Sequence, residues 1–362
     1  MGENMLSWWE PEFGDEEAEA VASVIRAGYV NEGPRTEEFT EAMAQYLGTK
    51  HVLATCNGTI ALYLALKACG VEPGDEVIIP DLTFIATASA VKLCGALPVL
   101  ADIKLSDLTI DSDEVSRTVS PQTKAIVAVP INGRCTDMIA LQAIADQHGL
   151  AVIEDAAQAL GSFSQGRALG TFGDVGCISL APTKIITSGQ GGLVVTDRDD
   201  IRDNVVRLKD HGRLHRSWNY HPEIGFNFKF SDIQAALAWV QFKRLPDRLK
   251  VVTEQYRLYS DSLRDTAGVT FLHTDVDHGV VPLWVDALID DAEGLVAFLK
   301  TKSIDSRPFW PTIHTQYPYR DQRAFPNASY VAQHGVWFPS GAGKGEADIH
   351  RVISAVREFL DD

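Results

Sequence analysis

Lys184 is the residue from which most chemistry could follow. It is the only charged side chain in Gly176-Cys177-Ile178-Ser179-Leu180-Ala181-Pro182-Thr183-Lys184, a run lying between two apolar stretches. Burial disfavours an ammonium, so such a lysine is biased toward the neutral nucleophile that Schiff-base formation with an aldehyde requires. Ser179 could donate its hydroxyl to a phosphate, and Gly189, Gly191 and Gly192 are expected to leave room for a bulky ligand. A second segment, Ala151-Val152-Ile153-Glu154-Asp155, is a short apolar run that ends in two acids. A carboxylate at the carboxyl end of a parallel strand meets ligands, and Asp155 there could hold a protonated pyridine nitrogen. Glu154 alternates to the other side of the strand and is expected to pair elsewhere. The third segment, Asn57-Gly58-Thr59, precedes an apolar helix. Glycine permits close backbone approach, and the first turn of a helix offers unpaired N–H groups to a phosphate. Taken alone, each has a plain structural explanation: a helix cap, a strand-end turn, a lysine whose ammonium reaches solvent.

The elements that must position these groups alternate. Short apolar runs at 76–80, 97–101, 125–130, 150–154, 177–180 and 192–196 read as strands, with helical stretches at 59–69, 85–94 and 138–148 among them. That order predicts βαβ units and a mostly parallel sheet covered by helices, with ligands at the carboxyl ends of its strands. Beyond about residue 250 the pattern becomes a helix, a strand around 279–285, a helix at 292–302 and a closing helix at 349–360. The expected organisation is a large domain over 1–248 and a smaller α/β domain over 249–362.

Bulk properties exclude several classes. The chain has 362 residues, with 32 Lys and Arg against 49 Asp and Glu, and its formal charge of −17 would repel a nucleic-acid backbone. No run approaches the ~18 apolar residues of a membrane-spanning helix. No basic stretch followed by an apolar one opens the chain, so a cytoplasmic location is expected. The five cysteines, Cys56, Cys69, Cys94, Cys135 and Cys177, are odd in number and form no Cys-x-x-Cys pair, which argues against a disulfide framework or a zinc site.

Read together, Glu154-Asp155-Ala156-Ala157-Gln158, Gly173-Asp174, Ser179, Pro182-Thr183-Lys184 and the later Gly-x-Gly-Gly resemble the DegT/DnrJ/EryC1/StrS family of sugar aminotransferases. The likeness continues at Asn31 to Pro34, Gly58-Thr59-Ile60-Ala61-Leu62, Pro80-Asp81-Leu82-Thr83-Phe84, Gly95-Ala96-Leu97-Pro98, 225–229 and 232–236. The resemblance implies an α/β chain of the aspartate-aminotransferase (type I) fold, acting as a homodimer with shared active sites. It implies pyridoxal 5′-phosphate as cofactor, with pyridoxamine phosphate as its intermediate form. By position, Lys184 would form the Schiff base, Asp155 would hold the pyridinium nitrogen and Phe84 would lie against the ring face. Gly58, Thr59 and Ser179 would bind the phosphate, Gln158 would sit near the ring substituents, and Asn227 would reach the phosphate from the neighbouring subunit. The implied substrates are glutamate and a nucleotide-linked keto-deoxy sugar aminated at carbon 4, with Arg307, Phe309, Trp310 and His314 near the sugar nucleotide. One departure stands out: the segment 131–137 lacks the aromatic that often precedes its Gly133 in the family.

Other readings compete. The same family includes 3-aminotransferases and sugar dehydratases, but the dehydratases carry His where this chain has Lys184. A non-catalytic sensor of pyridoxal phosphate would keep Lys184 and Asp155 without turning over a donor. His211 and His215, four apart on a possible helix face, suggest a metal-dependent hydrolase only weakly, because no third ligand lies nearby.

Overall fold

The computed structural model describes residues 5–361 apart from Leu214, Arg216, Trp218 and His273. A seven-stranded sheet is built from β1 (His51–Thr55), β2 (Glu76–Pro80), β3 (Leu97–Ala101), β4 (Thr123–Ala128), β5 (Ala151–Asp155), β8 (Val175–Ser179) and β9 (Gly192–Thr196), with β6 (Phe163–Ser164) and β7 (Arg167–Ala168) forming a separate hairpin. Its order is β1-β9-β8-β5-β4-β2-β3. β9 alone is antiparallel to its neighbours, and the remaining pairs are parallel. The sheet is therefore mostly parallel, as the alternation of elements predicts. Its central strands are continuous apolar runs because helices cover both faces.

Local signals explain the crossovers. Asn57 caps the helix Gly58–Ala68, its side-chain oxygen accepting from the Ile60 N–H at 2.9 Å. Asp137 caps Met138–His148 in the same way, and Gly149 ends that helix at φ 67°.

A second, antiparallel sheet has the order β10-β11-β13-β12, from Val269–Thr270, Val285–Ile289, Gly335–Phe338 and Arg307–Pro308. It shares a separate core with the helices Leu245–Leu263, Ala292–Thr301 and Glu346–Asp361. A cut at 248/249 falls within the first of these helices. The N-terminal segment joins this second unit, since Leu6 bridges Ile304 and the Ser340 N–H donates to the Trp8 carbonyl.

Two expectations are corrected. The strand expected around 279–285 begins only at Val285. Residues 279–284 are instead an apolar link pressed onto the large domain, with the Phe163 N–H donating to the Gly279 carbonyl and the Val281 N–H to Ser162 Oγ. His211 does not lie on a helix face: the helix ends at Lys209 and His211 has φ 58°. Among the described residues, no group of three or more His, Cys, Asp or Glu side chains could hold a metal ion.

Candidate active site

Three strand ends and one helix start converge on a cavity of about 620 Å³. Asp155 and Ser179 are the last residues of the adjacent parallel strands β5 and β8. Gly192, at the start of β9, pairs with both Thr55 and Ser179, which brings the turn after β1 beside them. Hence Gly58, Thr59, Phe84, Asp155, Gln158, Ser179, Lys184 and Trp310 all line this one cavity. Sequence positions spread over more than two hundred residues become neighbours because parallel strands end on the same edge.

One end of the cavity is a helix N-terminus with a glycine floor. The Asn57 side chain takes the Ile60 N–H, whereas the Gly58 and Thr59 N–H groups have no partner among the described residues. A Cβ on Gly58 would stand 3.0 Å from Ser179 Cβ and 3.1 Å from its Oγ, so a side chain there would fill the cradle. Gly191 and Gly192 act differently from expectation. Cβ atoms there would meet Ser188 Oγ at 2.4 Å and the Asn57 carbonyl at 2.4 Å, so Gly191 admits neighbouring side chains and Gly192 admits backbone, and the room for a ligand lies elsewhere.

Across the cavity Asp155 is buried. Its Oδ2 accepts from Thr87 Oγ1 at 2.7 Å, and its Oδ1 accepts from the Ala157 N–H at 3.3 Å. Burial raises its pKa above the ordinary carboxylate value, opposed by Thr87, by the Lys184 charge and by the Ala157 N–H. A cation in the cavity would reverse that cost. Glu154 turns away as expected, accepting from the N–H groups of Gly170, Phe172 and Gly173. Lys184 is lowered from 10.5 to about 8 by burial, against the pull of Asp155, so about a tenth of it is the free amine at neutral pH, far more than for an ordinary lysine. Its Nζ lies 5.2 Å from the Trp284 ring centre. Successive carbonyls of its loop are held from outside: Pro182 by Trp9 Nε1, Thr183 by Trp284 Nε1 (both 3.2 Å) and Ile185 by Arg248 Nη1.

This set fits pyridoxal phosphate. It offers N–H donors without partners beside a hydroxyl for a phosphate, a buried carboxylate lacking a full counter-charge for a protonated ring nitrogen, and an amine of lowered basicity for an aldehyde.

The other candidates are placed as follows. Phe84 is 49% exposed at the cavity wall, its ring 5.5 Å from Trp310. Phe309 is buried, stacked 4.5 Å from Trp337, and supports the aromatic cluster from behind. Arg307 is exposed, 3.3 Å from Asp305 and over the Trp8 ring. His314 Nδ1 lies 2.6 Å from the buried Asp81 carboxylate. Asn227 is exposed and bridges Asp210, outside the cavity of its own chain. Sequence reasoning missed Trp8, Trp284 and Gln190 in the wall. A Trp at 8 and the apolar run before 285 were the available signals, and neither says which way a side chain faces.

Fold and site together place the chain among the pyridoxal-phosphate enzymes of the aspartate-aminotransferase fold. Residues 11–357 match the DegT/DnrJ/EryC1/StrS aminotransferase family. The chain is 32% identical to a GDP-perosamine synthase of Vibrio cholerae, covering 99% of this chain and 100% of that one. It is 36% identical to a GDP-perosamine synthase of Caulobacter vibrioides, over 89% of each. Among solved structures, DesV of S. venezuelae superposes with a TM-score of 0.91 at 30% identity, covering 96% of this chain and 95% of that one. The chain belongs to this family and is a pyridoxal-phosphate-dependent sugar aminotransferase.

Proposed function

We propose that the chain moves an amino group from glutamate to carbon 4 of a nucleotide-linked keto-deoxy sugar, in the building of an aminosugar for a polysaccharide or a glycosylated product. The observation that carries the reading is the pairing of Lys184 with Asp155 across one cavity. The names of the two perosamine synthases make GDP the nucleotide to test first.

When bound, pyridoxal phosphate supplies an aldehyde that takes up the amino group and a ring that accepts electrons released at the donor's α-carbon. The Gly58 and Thr59 N–H groups and the Ser179 hydroxyl would hold its phosphate, Asp155 would keep the proton on its ring nitrogen, and Phe84 and Gln158 would confine the ring. Lys184 Nζ would hold the aldehyde carbon and, when free, would take a proton at the donor's α-carbon and return one at the sugar carbon that receives the amine. Trp310 and Phe84 form an apolar wall for the acceptor.

The exposed Asn227 supports a homodimer in which this residue serves the partner's phosphate site. Lys184→Ala and Lys184→Arg should each abolish transamination with glutamate and a GDP-linked 4-keto-6-deoxy sugar. Turnover undiminished in either variant contradicts the proposal. A protein that binds the cofactor yet never exchanges amino groups with any donor would instead be a sensor.

A further inference from the structure

The segment 131–137 lacks the aromatic that often precedes Gly133 in the family, and the structure shows that Asn132 stands there instead. Asn132 is 1% exposed and adopts a left-handed φ of 51°. Its side-chain amide and its backbone N–H all point at named partners. Its Nδ2 donates to the Trp284 carbonyl at 2.6 Å and to Asp286 Oδ2 at 2.9 Å. Its Oδ1 accepts from the Trp284 N–H at 2.7 Å, and its backbone N–H donates to Gln158 Oε1 at 3.1 Å. Arg134 locks the same acid, Nη1 donating to Asp286 Oδ2 at 2.7 Å and Nη2 to Oδ1 at 2.6 Å. Neighbouring Gly133 permits the contact, because a Cβ there would fall 2.1 Å from the Val281 carbonyl.

Asn132 thus grips Trp284 through both backbone groups, as one strand grips another. Trp284 in turn donates its indole N–H to the Thr183 carbonyl and presents its ring to the Lys184 amine. Gln158 and Trp284 both line the cavity. One amide therefore couples β11 of the second unit to two walls of the site.

We propose that Asn132 is a positioning residue: through Trp284 it fixes the loop and the apolar face that hold Lys184, and through Gln158 it fixes the adjoining wall. The inference rests on Lys184 being the cofactor-binding lysine, but its test does not need turnover. A side-chain amide is required here. Alanine removes three of the four bonds, and aspartate would face Asp286 with a like charge.

The test uses the full chain stripped of cofactor. Carbamylation of Lys184 by cyanate is followed by peptide mass spectrometry across pH 6.5 to 10.5 in wild type, Asn132→Ala, Trp284→Phe and the double variant. Asp155 is the charged group that acts on Lys184, and it is unchanged throughout. The wild-type profile should turn near pH 8. In Asn132→Ala and in Trp284→Phe, which removes the Thr183 bond but keeps an aromatic ring, the profile should move up by about one unit, a roughly tenfold lower labelling rate near pH 7. The double variant should move no further than the single ones, because both act through one path. Pyridoxal phosphate should also leave the single variants about tenfold faster than wild type. If Asn132→Ala folds and its profile and release rate stay within twofold of wild type, the proposal fails. If Asn132→Ala does not fold, Trp284→Phe decides alone, and an unmoved profile in it overturns the proposal. Failure of wild type to bind pyridoxal phosphate would overturn the functional reading while leaving the labelling comparison meaningful.

Discussion

Replacing Lys184 by Met should change how the stability of the cofactor-free protein depends on pH. Burial lowers the Lys184 pKa from 10.5 to about 8, so the unfolded chain binds a proton that the folded chain holds less well. Folding therefore carries a penalty that is complete below pH 8 and is relieved as pH rises toward 10.5. At ~1.4 kcal/mol per pKa unit, the interval from 10.5 to about 8 bounds the penalty at about 3.5 kcal/mol. Lys184 borders an open cavity, and screening by solvent there reduces the expected effect to about 2 kcal/mol. Methionine has a similar unbranched length and no charge. Urea unfolding of the two cofactor-free proteins at pH 7, 8, 9 and 10 isolates the Lys184 contribution, because other titrating groups largely cancel in the difference. Relative to Lys184→Met, wild type should gain about 1 to 1.5 kcal/mol between pH 7 and pH 10, the rest of the penalty being relieved only above pH 10. A difference that is flat across this range, or that moves the other way, would refute the burial of Lys184 as the cause of its lowered basicity.

Further outcomes follow from other parts of the site. Gly58→Ala should weaken pyridoxal phosphate binding about tenfold, equivalent to ~1.4 kcal/mol, since its methyl would crowd Ser179; cofactor titration followed by absorbance checks it. Asp286→Ala should destabilise the chain by about 3 to 5 kcal/mol in urea, because the buried Arg134 loses its counter-ion. Burial pushes the thiols of Cys69 and Cys94 up to about 12 and raises that of Cys177. All three should stay unlabelled by iodoacetamide at pH 8 in the folded protein and react in urea.

Much of this architecture can be read from local signals. β2, β3, β9 and the helix Met138–His148 fall where apolar runs, caps and glycines put them, because buried parallel strands and capped helices carry their signatures within a few residues. Asp155, Ser179 and Lys184 were legible for the same reason: each ends or follows a strand at the edge where ligands bind. What local sequence does not carry are bonds between distant segments. Asn132 meets residues more than 150 positions away, and Trp8 enters the wall from a segment anchored on Ile304 and Ser340. The run 279–284 has a strand's composition, yet Pro282 has no N–H to give a ladder and Gly279 takes φ 98°. Gly191 and Gly192 show the same limit, since the sequence marks a need for space but not whether a ligand or the protein itself fills it.

The most direct test of the central claim is an absorption spectrum of the purified protein with pyridoxal phosphate, recorded alone, then with glutamate, then with GDP-linked 4-keto-6-deoxy sugars. The account predicts a visible band that bleaches with glutamate, returns with one of the sugars, and is absent in Lys184→Ala. A visible band that forms equally well without Lys184, or that no amino donor ever bleaches, would contradict it.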